Sequence, residues 1–278
     1  MAIRVPIDVN GNLRHSGAVS LLEKHGVPAP AEYVALRERI DAYTAITRPL
    51  TDKLVAAVLS GDDADQYAEL RAAAIAEQVR SDVDETVVTA GRRRLREIYD
   101  GVARDAYKAI AARWNAAAEE FTTAVGVVDP TSTADVVIEL PAASQKAWRR
   151  GKELSAQLDE LAILLQTSAM LTGIENAENK EHLAVSDRWK DGMKSMLIGL
   201  CADPGELHRR QVWQEWDRGW AATVQLGVTL RAADLATVEA YRRPKPLLER
   251  RVVENGVTRF QVVDPEDADY EPALSEAR

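Results

Sequence analysis

A mostly α fold of long antiparallel helices, with a small β-hairpin near the C-terminus and a short N-terminal strand, is what this sequence predicts. Three observations carry that expectation. Over residues 62–125 apolar side chains recur every three or four positions: Tyr67, Leu70, Ala74, Val79, Val83, Val87, Leu95, Ile98, Val102, Ala106, Ile110, Trp114, Ala117, Phe121 and Val125. At 3.6 residues per turn this spacing keeps one stripe on one side of a helix. A second seam, Tyr33, Leu36, Ile40, Tyr43, Thr47, Leu50 and Leu54, alternates three and four like a short coiled coil. Near the end, Asn255-Gly256 separates two β-branched runs, and both residues tolerate positive φ, so the chain reads as a hairpin.

The elements follow in order. Ile3, Val5, Ile7 and Val9 alternate before Asn10-Gly11 and predict a short strand, with Pro6 restricting it to an edge. A short helix runs from Ser16 to His25 and stops at Gly26. The next begins at Pro30, where a missing N–H costs nothing, and Pro49 kinks or divides it near Arg48. Gly61 ends it, and a short connection to the stretch from Asp62 makes 30–125 a long helical hairpin. If unbroken, the ~64 residues of 62–125 would span roughly 95 Å; Thr86 to Gly91 and Gly101 are the two places where the helix would break.

Residues 126–143 hold two prolines and the β-branched run Val136 to Leu140, and read as a linker or an extended segment. Helical pattern resumes near Ser144 and continues through Leu154, Leu158, Leu161 and Leu165 to Gly173; Val185, Trp189, Met193, Met196 and Leu200 mark another helix face. Asp203-Pro204-Gly205-Glu206 has the signature of a capped helix start, and the helix is expected to run to Tyr241. Thus 144–243 forms a second helical region, 244–263 the hairpin, and 264–278 a disordered acidic tail; 1–29 is an N-terminal arm.

Composition bounds the function. The 278 residues are 46% hydrophobic and 28% charged, ordinary for a folded chain, and the net charge of −9 lacks the basic footprint of a general nucleic-acid binder. Arginine outnumbers lysine and alanine is abundant, which suggests a GC-rich coding genome. Cys201 is alone, so an intramolecular disulfide is excluded, and its apolar flank predicts a buried thiol. Four dispersed histidines and one cysteine do not make a zinc set, and the Glu-x-x-His spacing of a di-iron bundle is missing. Neither phosphate-loop glycine motif nor a G-x-S-x-G elbow occurs, so no cofactor is expected. No apolar run approaches the ~18 residues of a membrane span, and the expected location is the cytoplasm or the inside of an assembled particle.

Two groups remain as candidate sites. Arg92, Arg93, Arg94 and Arg96 are compact in sequence and could neutralise phosphates, or pair with acidic neighbours on a solvated helix face. Trp213, Trp216 and Trp220 fall at i, i+3 and i+7, one face of a helix, either a core-facing side or, with Phe260, a protein interface. The leading expectation is a non-enzymatic structural or assembly protein, oligomeric or part of a larger assembly, such as a virion component of a phage infecting a GC-rich bacterium. The alternatives are a nucleic-acid-associated protein using the arginines, and an enzyme with a site between helices near the tryptophans.

Overall fold

The computed structural model describes residues 14–45, 49–60, 64–79, 81–174, 186–254 and 257–267. The chain is 68% helical, with eleven helices and two small antiparallel sheets among the described residues. His15–Arg104 forms one compact unit and the described residues from Asp105 onward form another. The predicted N-terminal strand, the Asn255-Gly256 turn and residues 268–278 of the acidic tail lie outside the described residues.

In the first unit, α1 (His15–Lys24) stops at Gly26, whose φ of 83° releases the chain from the helix at a residue with no Cβ. α2 (Ala31–Thr44) starts after Pro30, and α3 (Pro49–Ser60) starts at Pro49, so the seam is divided as proline requires. α4 (Ala64–Val79) and α5 (Ser81–Asp100) return. α2 and α5 are antiparallel. Glu32 meets Arg94 at 3.3 Å, Ile40 packs at Gly91, and the Tyr43 hydroxyl donates to Asp84 at 2.5 Å. α3 packs on α4, where the Tyr67 hydroxyl donates to the Ala57 carbonyl at 3.2 Å.

α1 closes the α2–α5 pair. Ala18, Val19 and Leu22 are buried, and His15, Tyr33 and Tyr99 form an aromatic triad with centroids 5.6–5.9 Å apart. Burial, then the nearby Arg96 charge, lowers the His15 pKa against the opposing pull of Asp100. Burial also pushes Tyr99 up to about 12. Arg37 clasps Glu23 across α1 and α2 with bonds of 2.7 and 3.2 Å.

Residues 62–125 are not one rod. The helix breaks at Gly101, as the sequence allowed; residues 86–91 stay helical. Gly91 is used for contact instead of a bend: a Cβ there would lie 2.7 Å from Ile40 Cδ1, so glycine lets α2 and α5 approach closely.

In the second unit, α6 (Ala103–Val127), from Asp105 onward, pairs antiparallel with α8 (Ala142–Leu171). Arg150 forks onto Glu120 at 2.6 and 2.7 Å, and Gly151 faces Ala124 and Pro130. Ile110, Trp114, Phe121, Leu154, Leu158 and Leu165 are fully buried between the elements. Within 126–143, expected as a linker or an extended segment, Ala134–Ile138 forms a short helix, α7. Its last carbonyls find a donor in Gln145, which reaches Ile138 at 3.1 Å and Leu140 at 2.9 Å, and this outweighs the β preference of Val136 and Val137.

α9 (Ser186–Cys201) ends with the buried Cys201, whose thiol pKa burial raises, as its apolar flank predicted. Asp203-Pro204-Gly205-Glu206 is not a helix start. Ala202–Asp203 forms β1, which pairs with β2 (Thr229–Leu230), and α10 (Arg209–Asp217) begins after His208, whose ring nitrogen accepts from the Gln211 N–H. Gly205 has φ 57°, so the motif makes a turn. Nor does that helix run to Tyr241: Gly219, at φ 98°, separates α10 from α11 (Trp220–Gln225), and Gly227, at φ 100°, ends α11.

Residues 231–241 then run in irregular conformation along the end of α9. The Arg231 and Ala233 N–H groups, each at 2.9 Å, donate to the carbonyls of Cys201 and Leu200, which lack partners within their own helix. The hairpin stands as predicted. β3 (Leu248–Glu254) pairs antiparallel with β4 (Val257–Val263), from Leu248 opposite Val263 to Glu254 opposite Val257.

Gly199 marks the closest approach of this strap to α9, because a Cβ there would lie 2.4 Å from the Glu239 carbonyl oxygen, a backbone atom. Gly199→Ala should therefore destabilise the protein by about 1–3 kcal/mol, the usual cost of overpacking. Gly126→Ala, with nothing within 4 Å of its new Cβ, should be neutral or stabilising by up to about 1 kcal/mol. Urea denaturation of both variants checks the pair.

Candidate protein-interaction surfaces

The four arginines sit on α5, and successive residues of a helix point about 100° apart. Arg92, Arg93 and Arg96 therefore fall within about 100° of arc and share a side, whereas Arg94 points away from them. All four are exposed. Arg93 pairs with Glu97 at 3.9 Å, and Arg94 with Glu97 at 3.2 Å and Glu32 at 3.3 Å; its hydrogen bonds to those carboxylates raise its pKa. Arg93 also borders a surface hollow of about 510 Å³, together with Glu85, Thr86, Thr89 and Ala90.

The tryptophans do not lie on one helix. Trp213 and Trp216 belong to α10 and Trp220 opens α11, yet Trp220 contacts Trp216 at 5.0 Å and Trp114 at 5.3 Å, both edge-on. Trp220 is buried and its indole N–H donates to Asp159 at 2.7 Å. Trp213 is half-buried under Lys194, whose ammonium sits 4.3 Å from the ring centroid, donates to the Trp213 carbonyl, and pairs with Asp217 at 2.6 Å. Trp216 and Trp220 are thus packing groups that tie α10 and α11 to α6 and α8, and Trp213 is covered by a cation.

Phe260 lies apart from them, 71% exposed on β4 beside Val262 at 60%. Alternation places Phe260, Val262, Glu249 and Arg251 on one hairpin face, with Arg251 directly opposite Phe260. The base of the hairpin is anchored. Arg210 of α10 donates to Asp264 through Nε and Nη2, the latter at 2.9 Å, and also to the Lys245 carbonyl, so it holds both ends of the hairpin. Glu266 receives Arg242 at 2.5 Å and the Lys245 N–H at 3.1 Å. The Arg210 hydrogen bonds hold the Asp264 pKa down at about 2, with the His208 ring 3.6 Å away. Burial pushes Glu266 up, and its donors Lys245 and Arg242 outweigh this and lower its pKa. Residues 264–267, expected in a disordered tail, are therefore an ordered latch.

No family model, curated protein or solved structure matches this chain. Among the described residues no helix is long and apolar enough to cross a membrane, and no group of three metal-ligating side chains converges.

A surface that no motif pointed to is α3. Leu50, Leu54, Val55, Ala56, Ala57, Val58 and Leu59 give it an apolar arc wider than one stripe; among the described residues Ala57 is buried against α4, and Leu50 and Leu54 are half-buried. Val55 and Leu59, at i and i+4, are 53% and 82% exposed, and Val58 is 56% exposed. Ile75 of α4 and Val83 and Val87 of α5 are further exposed apolar side chains of this unit. The signal was present in the sequence as an excess of apolar positions over one stripe.

Because the unfolded-state pKa of Asp264 is near 3.8 and the folded value near 2, its contribution is complete above about pH 3.8 and is lost as the pH falls toward 2. Hydrogen exchange of the β3 and β4 amides should be steady in protection down to about pH 4 and lose it toward pH 2. Asp264→Asn should speed that exchange at neutral pH, by the equivalent of about 1–3 kcal/mol for a broken charged hydrogen bond.

Proposed function

We propose that this protein is a structural or assembly protein that works by helix–helix packing between copies, with the α3–α4 end of its helical hairpin as the main contact. The observation that carries this reading is α3 itself. A helix whose apolar arc is wider than one stripe needs cover on more than one side, and α4 covers the side that carries Ala57. Burying Val55, Val58 and Leu59, which are half or more exposed, would contribute at most about 1.5–3 kcal/mol each toward the cost of association.

Charge segregation favours a second copy as the partner. From 49 to 90 the sequence has nine acidic residues and three basic ones, whereas Arg92, Arg93, Arg94 and Arg96 follow at once. Two hairpins laid antiparallel bring the acidic end of each to the arginines of the other, which steers association and register. A particle built by such packing, a phage virion among the possibilities, is the finer form of the reading. It draws its support from the composition and from this exposed helix.

Val55→Glu together with Leu59→Glu tests it. Both side chains point away from α4, so the variant should keep its helicity by circular dichroism and sediment with a lower mass than the wild type at the same concentration. A wild-type chain that sediments as a monomer at every concentration contradicts the reading, as does a double variant whose mass is unchanged. A mobility shift with duplex DNA that salt reverses would move the assignment to the arginines.

A further inference from the structure

Among the described residues the hairpin presents two open strands that differ in character. β3 carries Glu249, Arg250, Arg251 and Glu254 within seven residues, the charged composition with which natural edges avoid pairing. β4 reads Val-Thr-Arg-Phe-Gln-Val-Val, with one cation, no acid, no proline and no glycine. Such a segment has strong β preference and low charge, the profile of a strand that pairs. A lone two-stranded hairpin is marginal in water. This one is nonetheless held in place at its base, by Arg210 across Lys245 and Asp264 and by Glu266 on Arg242 and Lys245.

β4 is also self-complementary. Laid antiparallel against a second β4 with Phe260 at the centre, it places Phe260 opposite Phe260, Arg259 opposite Gln261 and Thr258 opposite Val262. No like charges meet in this register, and an aromatic cross-strand pair sits at its middle with Val262 flanking it on the same face. The same centring on β3, at Arg251, would set arginine against arginine. We propose that β4 is a homotypic pairing edge: two copies join antiparallel along Val257–Val263, centred on Phe260, and complete a four-stranded sheet. This contact is separate from the α3 surface, in residues and in the kind of bonding, and does not depend on it.

Cross-linking in the Val55→Glu, Leu59→Glu background isolates the hairpin from the helices. The native Cys201 is fully buried and will not compete. Phe260→Cys, oxidised with copper phenanthroline at low concentration, should give a disulfide-linked dimer, whereas Glu249→Cys on the far strand should not. Without added cysteine, Phe260→Arg should weaken dimerisation by roughly tenfold or more while circular dichroism stays unchanged. Absence of the Phe260→Cys dimer, equal cross-linking by Glu249→Cys, or dimerisation indifferent to Phe260→Arg would each overturn the proposal.

Discussion

Two antiparallel helices can cover one stripe of each other, and the first unit is governed by that limit. At one end of its helical hairpin α1 supplies a third helix. There Ala18, Val19, Leu22, Tyr33, Leu95 and Tyr99 are buried and the His15 triad closes the corner. Farther along, α3 and α4 have each other, and among the described residues they bury Ala57 and Ala74. The apolar pattern does not diminish to match the loss of cover, so Val55, Val58, Leu59 and Ile75 face outward. The functional reading follows from this mismatch between pattern and cover.

The second unit meets the same limit differently. α6 and α8 share a long seam, and small residues at the contact, Gly151 against Ala124, let the helices approach. Trp114, Trp216 and Trp220 then fill the space where α10 and α11 join them. Around this core the polar chemistry is structural. Asn115 accepts the Ala232 N–H at 2.8 Å, the Tyr107 hydroxyl donates to the Ala233 carbonyl at 2.7 Å, and Arg243 pairs with Asp191 at 2.6 Å. Together with the α9 carbonyl contacts, these bonds hold a strap of irregular chain that carries few large apolar residues of its own. The strap leads into the hairpin, and Arg210 fixes where the hairpin leaves the body.

Periodicity and punctuation were legible in the sequence. Gly26, Pro30, Pro49, Gly101 and Gly173 bound helices where local rules place them, and the hairpin strands stand on either side of Asn255-Gly256. The errors came where tertiary contacts compete with local preference. Asp203-Pro204-Gly205-Glu206 satisfies a helix start, but Ala202 and Asp203 are drawn into pairing with Thr229 and Leu230. Trp213, Trp216 and Trp220 have helical spacing, but Gly219 breaks the helix between them and packing still unites Trp216 with Trp220. Asp264 and Glu266 look like tail residues until Arg210 and Arg242, far away in sequence, are seen to bind them. Of the candidate sites, Phe260 stood out by its type. The exposed side of α3 needed the structure, because an apolar helix looks the same in sequence whether its partner is in the same chain or another.

In the proposed assembly α3 is covered when copies meet. Hydrogen exchange of the α3 and α4 amides, followed at two widely separated protein concentrations, addresses it directly. These amides should exchange markedly more slowly in the concentrated sample, while those of α8, already buried within one chain, should not change. Exchange in α3 and α4 that is the same at both concentrations would contradict it.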